Sequence, residues 1–295
     1  MQNKRSSQSI LAKCLAINLG LCIVTLYSIH SAKGATYTWT GATIGTWGTT
    51  TNWSLTTVLL LTDDVIILRP GNVAGALTIN VSVAANAKSI NFTDTSAVTL
   101  SNTTSGSNQT LTIGTGGITV GTGAVTIGSS TVNQTINIAL GASQTWNVGS
   151  GMLTVNNVII DGGSAYGINK MGTGTLTLAG ANTYTGTTTI NAGTLTLSDA
   201  ISSSSALSLG GGTLNYTKSG GIQTFNGTTV NSGFSTVTNA TAEQTVALGA
   251  GWGSDTGRNR NLTPCGGAGE ILTPLGKTIN LIRVVYCRKR TRDGR

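Results

Sequence analysis

The chain has 295 residues, with 17 Lys and Arg against nine Asp and Glu, giving a formal net charge of +8. Charged residues make up only 9% and Gly numbers 41, about twice average usage; with three Pro and regularly placed Leu, Ile and Val, this excludes a highly charged, apolar-poor disordered chain. The charge sits at the ends, +4 over residues 1–34, −2 over 35–250 and +6 over 251–295, so the basic balance gives no ground for nucleic-acid binding by the body.

Residues 1–34 read as a secretory signal peptide. Lys4, Arg5 and Lys13 supply the positive n-region and Leu15 to Ile29 the apolar h-region, shorter than the ~20 residues of a membrane span. Ala32 and Gly34 place small residues before Ala35, where cleavage is expected; an uncleaved anchor is the alternative. Lys13 and Leu21 precede Cys14 and Cys22, which rejects lipoprotein acylation, since a small residue is needed there. His30, the one histidine, leaves with this segment.

Residues 35–69 gather Tyr37, Trp39, Trp47 and Trp53. They are expected to form an N-terminal capping unit, because a stacked-coil fold must cover its first core layer and its first strand edge. An aromatic sugar-binding surface is the competing reading. Val58 to Leu61 and Val65 to Leu68 are apolar runs around Asp63-Asp64. Paired carboxylates can do acid–base chemistry or hold Ca²⁺, but here they read as a polar turn between strands.

Residues 70–250 alternate apolar residues with Thr, Ser or Asn, the period-2 signature of strands with one buried face. The predicted strands include Leu77-Thr-Ile79, Val81-Ser-Val83, Val98-Thr-Leu100, Leu111-Thr-Ile113, Ile118-Thr-Val120, Val125-Thr-Ile127 and Leu153-Thr-Val155. Each is too short to be stable alone and must stack on a neighbour. Gly174-Thr-Leu-Thr-Leu178 returns as Gly193-Thr-Leu-Thr-Leu197, 19 residues on, a self-similarity that marks a solenoid. At ~20 residues per coil, the body predicts about ten coils and a rod about 50 Å long. Leu176, Leu178, Ile190, Leu195 and Leu197 are the expected core ladder, with Gly174 and Gly193 at turns.

Near Gly251 the texture changes. Residues 251–295 hold nine of the 17 basic residues, two of three Pro and, in Cys265 and Cys287, two of four Cys. A frameshifted or disordered end, a C-terminal cap, and a basic tail for an anionic surface compete. The frameshift is favoured. These residues lack the aromatic-terminated amphipathic strands of a membrane barrel.

Motifs of chemistry are missing. The expected mature chain has no His, hence no His triad or His metal site, and no Gly-x-Ser-x-Gly elbow or Walker loop. Gly114-Thr-Gly116-Gly117 lies between two predicted strands, whereas a phosphate loop opens a helix. Asp161-Gly-Gly-Ser is not a calcium repeat. Scattered acids ill suit a polysaccharide lyase or hydrolase. No catalytic, cofactor-binding or metal residue is assigned, and no cofactor.

Lys170-x-Gly172-x-Gly174-Thr-Leu-Thr-Leu, then Gly180-Ala-Asn182-Thr-Tyr184-Thr-Gly186, Thr188-Thr-Ile190 and Ala192-Gly193-Thr-Leu resemble the autotransporter-associated β-strand repeat, with the best match at 167–198. That resemblance implies an all-β fold, a right-handed parallel β-helix of short Gly/Thr/Asn-rich strands, exported beyond the inner membrane as a secreted or cell-surface structural or adhesive passenger and not an enzyme. It departs from the family in lacking a translocator barrel, which suggests a truncated passenger. A β-helix enzyme and a purely structural stalk are the alternatives. Partners are expected among host-cell or matrix glycans or proteins, or further copies of the chain, with no nucleic acid and no integral span after signal cleavage.

Overall fold

The computed structural model describes residues 34–42, 44–68, 75–129, 134–231, 233, 235–239, 245–248, 253–254 and 281–284. The signal peptide and most of 251–295 lie outside the described residues. Strand dominates: two long parallel sheets run side by side, and the chain alternates between them coil after coil. Among the described residues the one helical element is a 3-10 turn at Thr50–Asn52, and no helix is long and apolar enough to cross a membrane.

The first sheet takes Thr36–Thr38, Asp64–Ile67, Ala85–Phe92, Gln109–Val120, Gln144–Val148, Ile168–Met171, Thr188–Ile190, Leu207–Leu209, Thr228–Val230 and Gly253–Ser254 in that order. The second takes Ile44–Thr46, Leu77–Asn80, Val98–Ser101, Ala124–Ile127, Met152–Val155, Thr175–Leu178, Thr194–Leu197, Thr213–Tyr216 and Ser235–Asn239, and ends on Leu281–Val284, which pairs antiparallel. This is the solenoid that the 19-residue repeat pointed to, with the parallel strands that the resemblance implied. A third, thinner wall pairs Gln109–Ile113 with Ile136–Leu140, Ile138–Ala139 with Ile159–Ile160, and Ile222–Thr224 with Thr245–Ala247.

Register turns alternation into columns. In the second sheet Leu153, Leu176, Leu195 and Leu214 stack, as do Val155, Leu178, Leu197 and Tyr216. In the first sheet Ile118, Trp146, Lys170 and Ile190 stack. All are buried, so the five ladder positions read from sequence are core. No single strand buries enough area to hold itself; each inward pair is covered by its neighbours above and below, at about 25 cal/mol per Å² of apolar surface.

Three expectations needed correction. Registered partners lie 28 residues apart at Thr36 and Asp64 but 20 apart at Ile168 and Thr188. The N-terminal coils spend more residues on their corners, so residues 36–230 give the first sheet nine stacked strands and about eight turns between them, and the rod is nearer 40 Å at ~4.8 Å per turn. Leu111–Ile113 and Ile118–Val120 are one strand, Gln109–Val120, whose first half pairs in the third wall and whose second half pairs in the first sheet. Val58–Leu61 and Val81–Val83 are not strands, and Val58 and Leu60 are exposed. Both segments are short and fall at corners of the coils.

Gly172 and Gly193 take φ of 77° and 64°, the left-handed region that glycine tolerates. Gly174 does not, but a Cβ there would stand 2.2 Å from the Gly151 carbonyl oxygen. Of these three corner glycines, two are kept by conformation and one by the closeness of the coil before it.

Candidate functional site

Among the described residues, Asp63, Asp64, Asp161, Asp199 and Lys170 are each tied to the scaffold. Asp63 closes the turn after Leu60: its carboxylate accepts from the Leu60 N–H at 2.8 Å and the Ala35 N–H at 2.9 Å. Asp64 opens the next strand and instead pairs with Lys88 at 3.0 Å and with the Ser89 hydroxyl. The two neighbouring carboxylates thus serve different coils, and the polar turn is what the structure shows. Asp199 accepts from the Ala200 N–H and from Lys218. Both ion pairs are part-exposed, where such pairs contribute about 0–1 kcal/mol.

Asp161 is the most heavily bonded acid. It accepts from the Gly163 N–H at 3.0 Å and from both the N–H and the hydroxyl of Thr185 at 2.8 Å. Burial pushes its pKa up, but these hydrogen bonds to the charged form outweigh it and leave the carboxyl below its ordinary value. A carboxylate held ionised by three donors pins one coil to the next; it is poorly suited to deliver a proton.

Lys170 is the group that sequence reasoning passed over. Its side chain is fully buried in the core column between Trp146 and Ile190. The ammonium donates to the carbonyls of Met171 at 2.8 Å, Gly172 at 2.9 Å and Ala192 at 3.3 Å. Burial pulls its pKa down to about 8. The cation closes off carbonyls that the left-handed turn at Gly172 leaves unpaired, which is a reason for a lysine to precede this turn.

Internal amides do similar work along the third wall, where strand pairing is sparse. Asn182 accepts from the Ile159 N–H at 2.9 Å and donates to the Gly180 carbonyl at 2.7 Å. Gln223 accepts from the Ile201 N–H at 2.7 Å, and Asn157 from the Ile136 N–H at 2.9 Å. Tyr184, Thr188 and Ser205 form a buried hydroxyl chain of 2.8 and 3.1 Å that ends on the Gly186 carbonyl; burial raises the Tyr184 pKa far above normal. The one available signal was that Asn182 and Tyr184 stand at polar positions inside the best repeat match.

The remaining candidates resolve into packing. The indoles of Trp39, Trp47 and Trp53 are buried and meet edge to face, with centroids 5.0 Å and 4.9 Å apart, so they offer no open ring to a sugar. Trp53 also donates its indole N–H to the Trp47 carbonyl at 2.8 Å. Gly116 and Gly117 sit where Cβ atoms would reach 2.5 Å from Ser89 Cβ and 2.1 Å from the Thr145 carbonyl oxygen. They allow close approach between coils rather than cradling a phosphate. Among the described residues no three His, Cys, Asp or Glu come together as a metal would require.

Residues 168–197 match the family model described as the passenger-associated-transport-repeat, about a tenth of the chain. The chain matches no curated protein and no solved structure. The matched stretch covers the strands Ile168–Met171, Thr175–Leu178, Thr188–Ile190 and Thr194–Leu197, and so includes Lys170, Asn182, Tyr184 and both left-handed glycines. The Lys170, Asn182 and Tyr184 contacts fall within it, and Asp161 reaches into it through Thr185.

Proposed function

We propose that this chain, a parallel β-solenoid carrying a passenger-type repeat of the autotransporter kind, is an exported structural or adhesive rod, secreted or held at the cell surface. The observation that carries the reading is the setting of the matched repeat. Its strands run in unbroken register with the coils before and after it, Met152–Val155 onto Thr175–Leu178, then Thr194–Leu197, then Thr213–Tyr216. The architecture of the repeat therefore extends well past the residues that match the family model.

The physical case is one of economy. The body spends its Asp, Lys, Asn and Gln side chains on joining coils, which favours a scaffold over a catalyst. A long, nearly neutral solenoid presents repeated polar positions along its faces, so weak contacts can add through multivalency. Its partners would be glycans or proteins of a surface or matrix, or further copies of the chain. The test is to express the chain with its own N-terminus in a bacterium with two membranes, and to follow a C-terminal tag. Appearance outside the inner membrane, with loss of residues 1–34, supports export; a full-length chain held in the cytoplasm overturns it. Retention on cell-surface glycans, set against turnover of pectin-like polymers, separates an adhesive rod from an enzyme.

A further inference from the structure

The outer face of the second sheet carries a feature that neither packing nor the proposed role requires. Thr78, Thr99, Thr126, Thr154, Thr177 and Thr196 are direct register partners, one per coil, without a break. The column opens beside exposed Ile44, passes through Asn215 to Thr238, and meets the last strand at Leu281. Two residues along each strand, Thr175, Thr194, Thr213 and Thr236 form a second column beside it. Rows therefore repeat at ~4.8 Å along the rod and about 6.6 Å across it. The register has no shift here, unlike the first sheet, where one occurs between Ala87 and Ser89.

Three properties make the array unusual as a surface. The six hydroxyls of the unbroken column make no hydrogen bond within the protein among the described residues, whereas those of Thr185, Thr188 and Thr217 do. All six side chains are half-buried between their neighbours, and a β-branched side chain so flanked has little rotamer freedom. The strands from Leu77–Asn80 to Ser235–Asn239 hold no charged residue, and their one aromatic, Tyr216, is buried.

We infer that this face binds ice, through the regular array of threonine methyls and hydroxyls in the second sheet. Each hydroxyl can donate one hydrogen bond and accept two, while the methyl beside it holds water in a cage without bonding to it. Water anchored on such a grid is ordered in two dimensions before it meets the crystal, so little entropy is lost on docking. From Leu77–Asn80 to Ser235–Asn239 the face is matched in charge to its ligand: a charged group orients its own hydration shell and cannot join a neutral lattice. A polysaccharide is a poorer fit, because no exposed aromatic among the described strands of this face offers a sugar ring a platform. A second copy of the chain would bury hydroxyls against hydroxyls, with only Ile44 and Met152 as large exposed apolar side chains among the described residues of this face. The inference stands apart from export and adhesion, because it is tested on the purified chain.

The experiment grows ice slowly from a solution of the full chain and measures its enrichment in the solid, together with the coarsening of ice grains on annealing. Thr177→Lys puts a charge at the middle of the face without touching the core. Thr189→Lys does the same on the outward side of the first sheet. Circular dichroism checks that both fold. The expected result is enrichment and slowed coarsening for the unaltered chain and for T189K, and a fall to the level of an inert protein for T177K. Exclusion of the unaltered chain from ice overturns the inference, as does an equal response to both substitutions. If T177K instead abolishes retention on an insoluble neutral polysaccharide, or a concentration-dependent dimer, while ice excludes every variant, the face belongs to that partner and the inference fails.

Discussion

Lys170 gives the sharpest test of how the solenoid is held together. Its ammonium is fully buried, bonded to three carbonyls and to no carboxylate, and its pKa falls from 10.5 to about 8 through loss of hydration. Below pH 8 the side chain is charged in both folded and unfolded chains, and the fold bears the full penalty. Between 8 and 10.5 the unfolded chain holds the extra proton, so stability rises with pH. At ~1.4 kcal/mol per pKa unit, the gain between pH 7 and pH 10 is about 2–3 kcal/mol. The three carbonyl acceptors favour the cation and make this an upper bound. Lys170→Met keeps an unbranched side chain between Trp146 and Ile190 and removes the titration. The assay is urea unfolding followed by circular dichroism, for both proteins, at several pH values from 7 to 10. The Met variant should gain relative to the parent at pH 7 from the lost charge and lose from the orphaned carbonyls, at about 1–3 kcal/mol for each group left unpaired. Whatever the sign at pH 7, the difference between the two must shift in favour of the parent as pH rises. Parallel curves for parent and variant across this range would refute the reasoning.

Other substitutions test other joints. Leu178→Asp places a charge in a core column between Val155 and Leu197 and should unfold the rod; an unchanged β-type spectrum and melting temperature would count against the ladder. Asp161→Ala leaves the N–H and hydroxyl of Thr185 and the Gly163 N–H without their acceptor and should cost about 1–3 kcal/mol. Because the Asp161 pKa is lowered by folding, its stabilisation is present above the unfolded value and fades as pH falls through the folded one, so parent and variant should converge in acid urea melts. Gly193→Val meets both a φ of 64° and a carbonyl 2.4 Å away, whereas Gly121→Ala finds its nearest atom at 3.8 Å; thermal melts should show a large loss for the first and little for the second. Trp53→Ala removes the ring that both Trp39 and Trp47 pack against and should cost about 3–5 kcal/mol, read from the same melts.

The sequence by itself determined the strand type, the inward residues and the stacked-coil class. Alternation is a local property: once Leu176 and Leu178 flank Thr177, a strand there must turn both leucines to one side. The repeated Gly-Thr-Leu-Thr-Leu then makes that side continuous from coil to coil, and the same stretch carried the match to passenger repeats. What only the tertiary structure decided is which residues meet across coils. Partner spacing varies from 34 to 19 residues, because corners absorb a variable length that alternation does not record. Hence the number of turns, the joining of Leu111–Ile113 to Ile118–Val120, and the exposure of Val58 and Leu60 were not legible. Nor were the roles of Lys170, Asn182 and Gln223. Each satisfies a backbone group of a neighbouring turn or coil, and that group is unpaired only because the chain turns a corner there. The threonines divide the same way: their place on an outward face was readable strand by strand, but their alignment into columns is a product of register, which exists only when the coils stack.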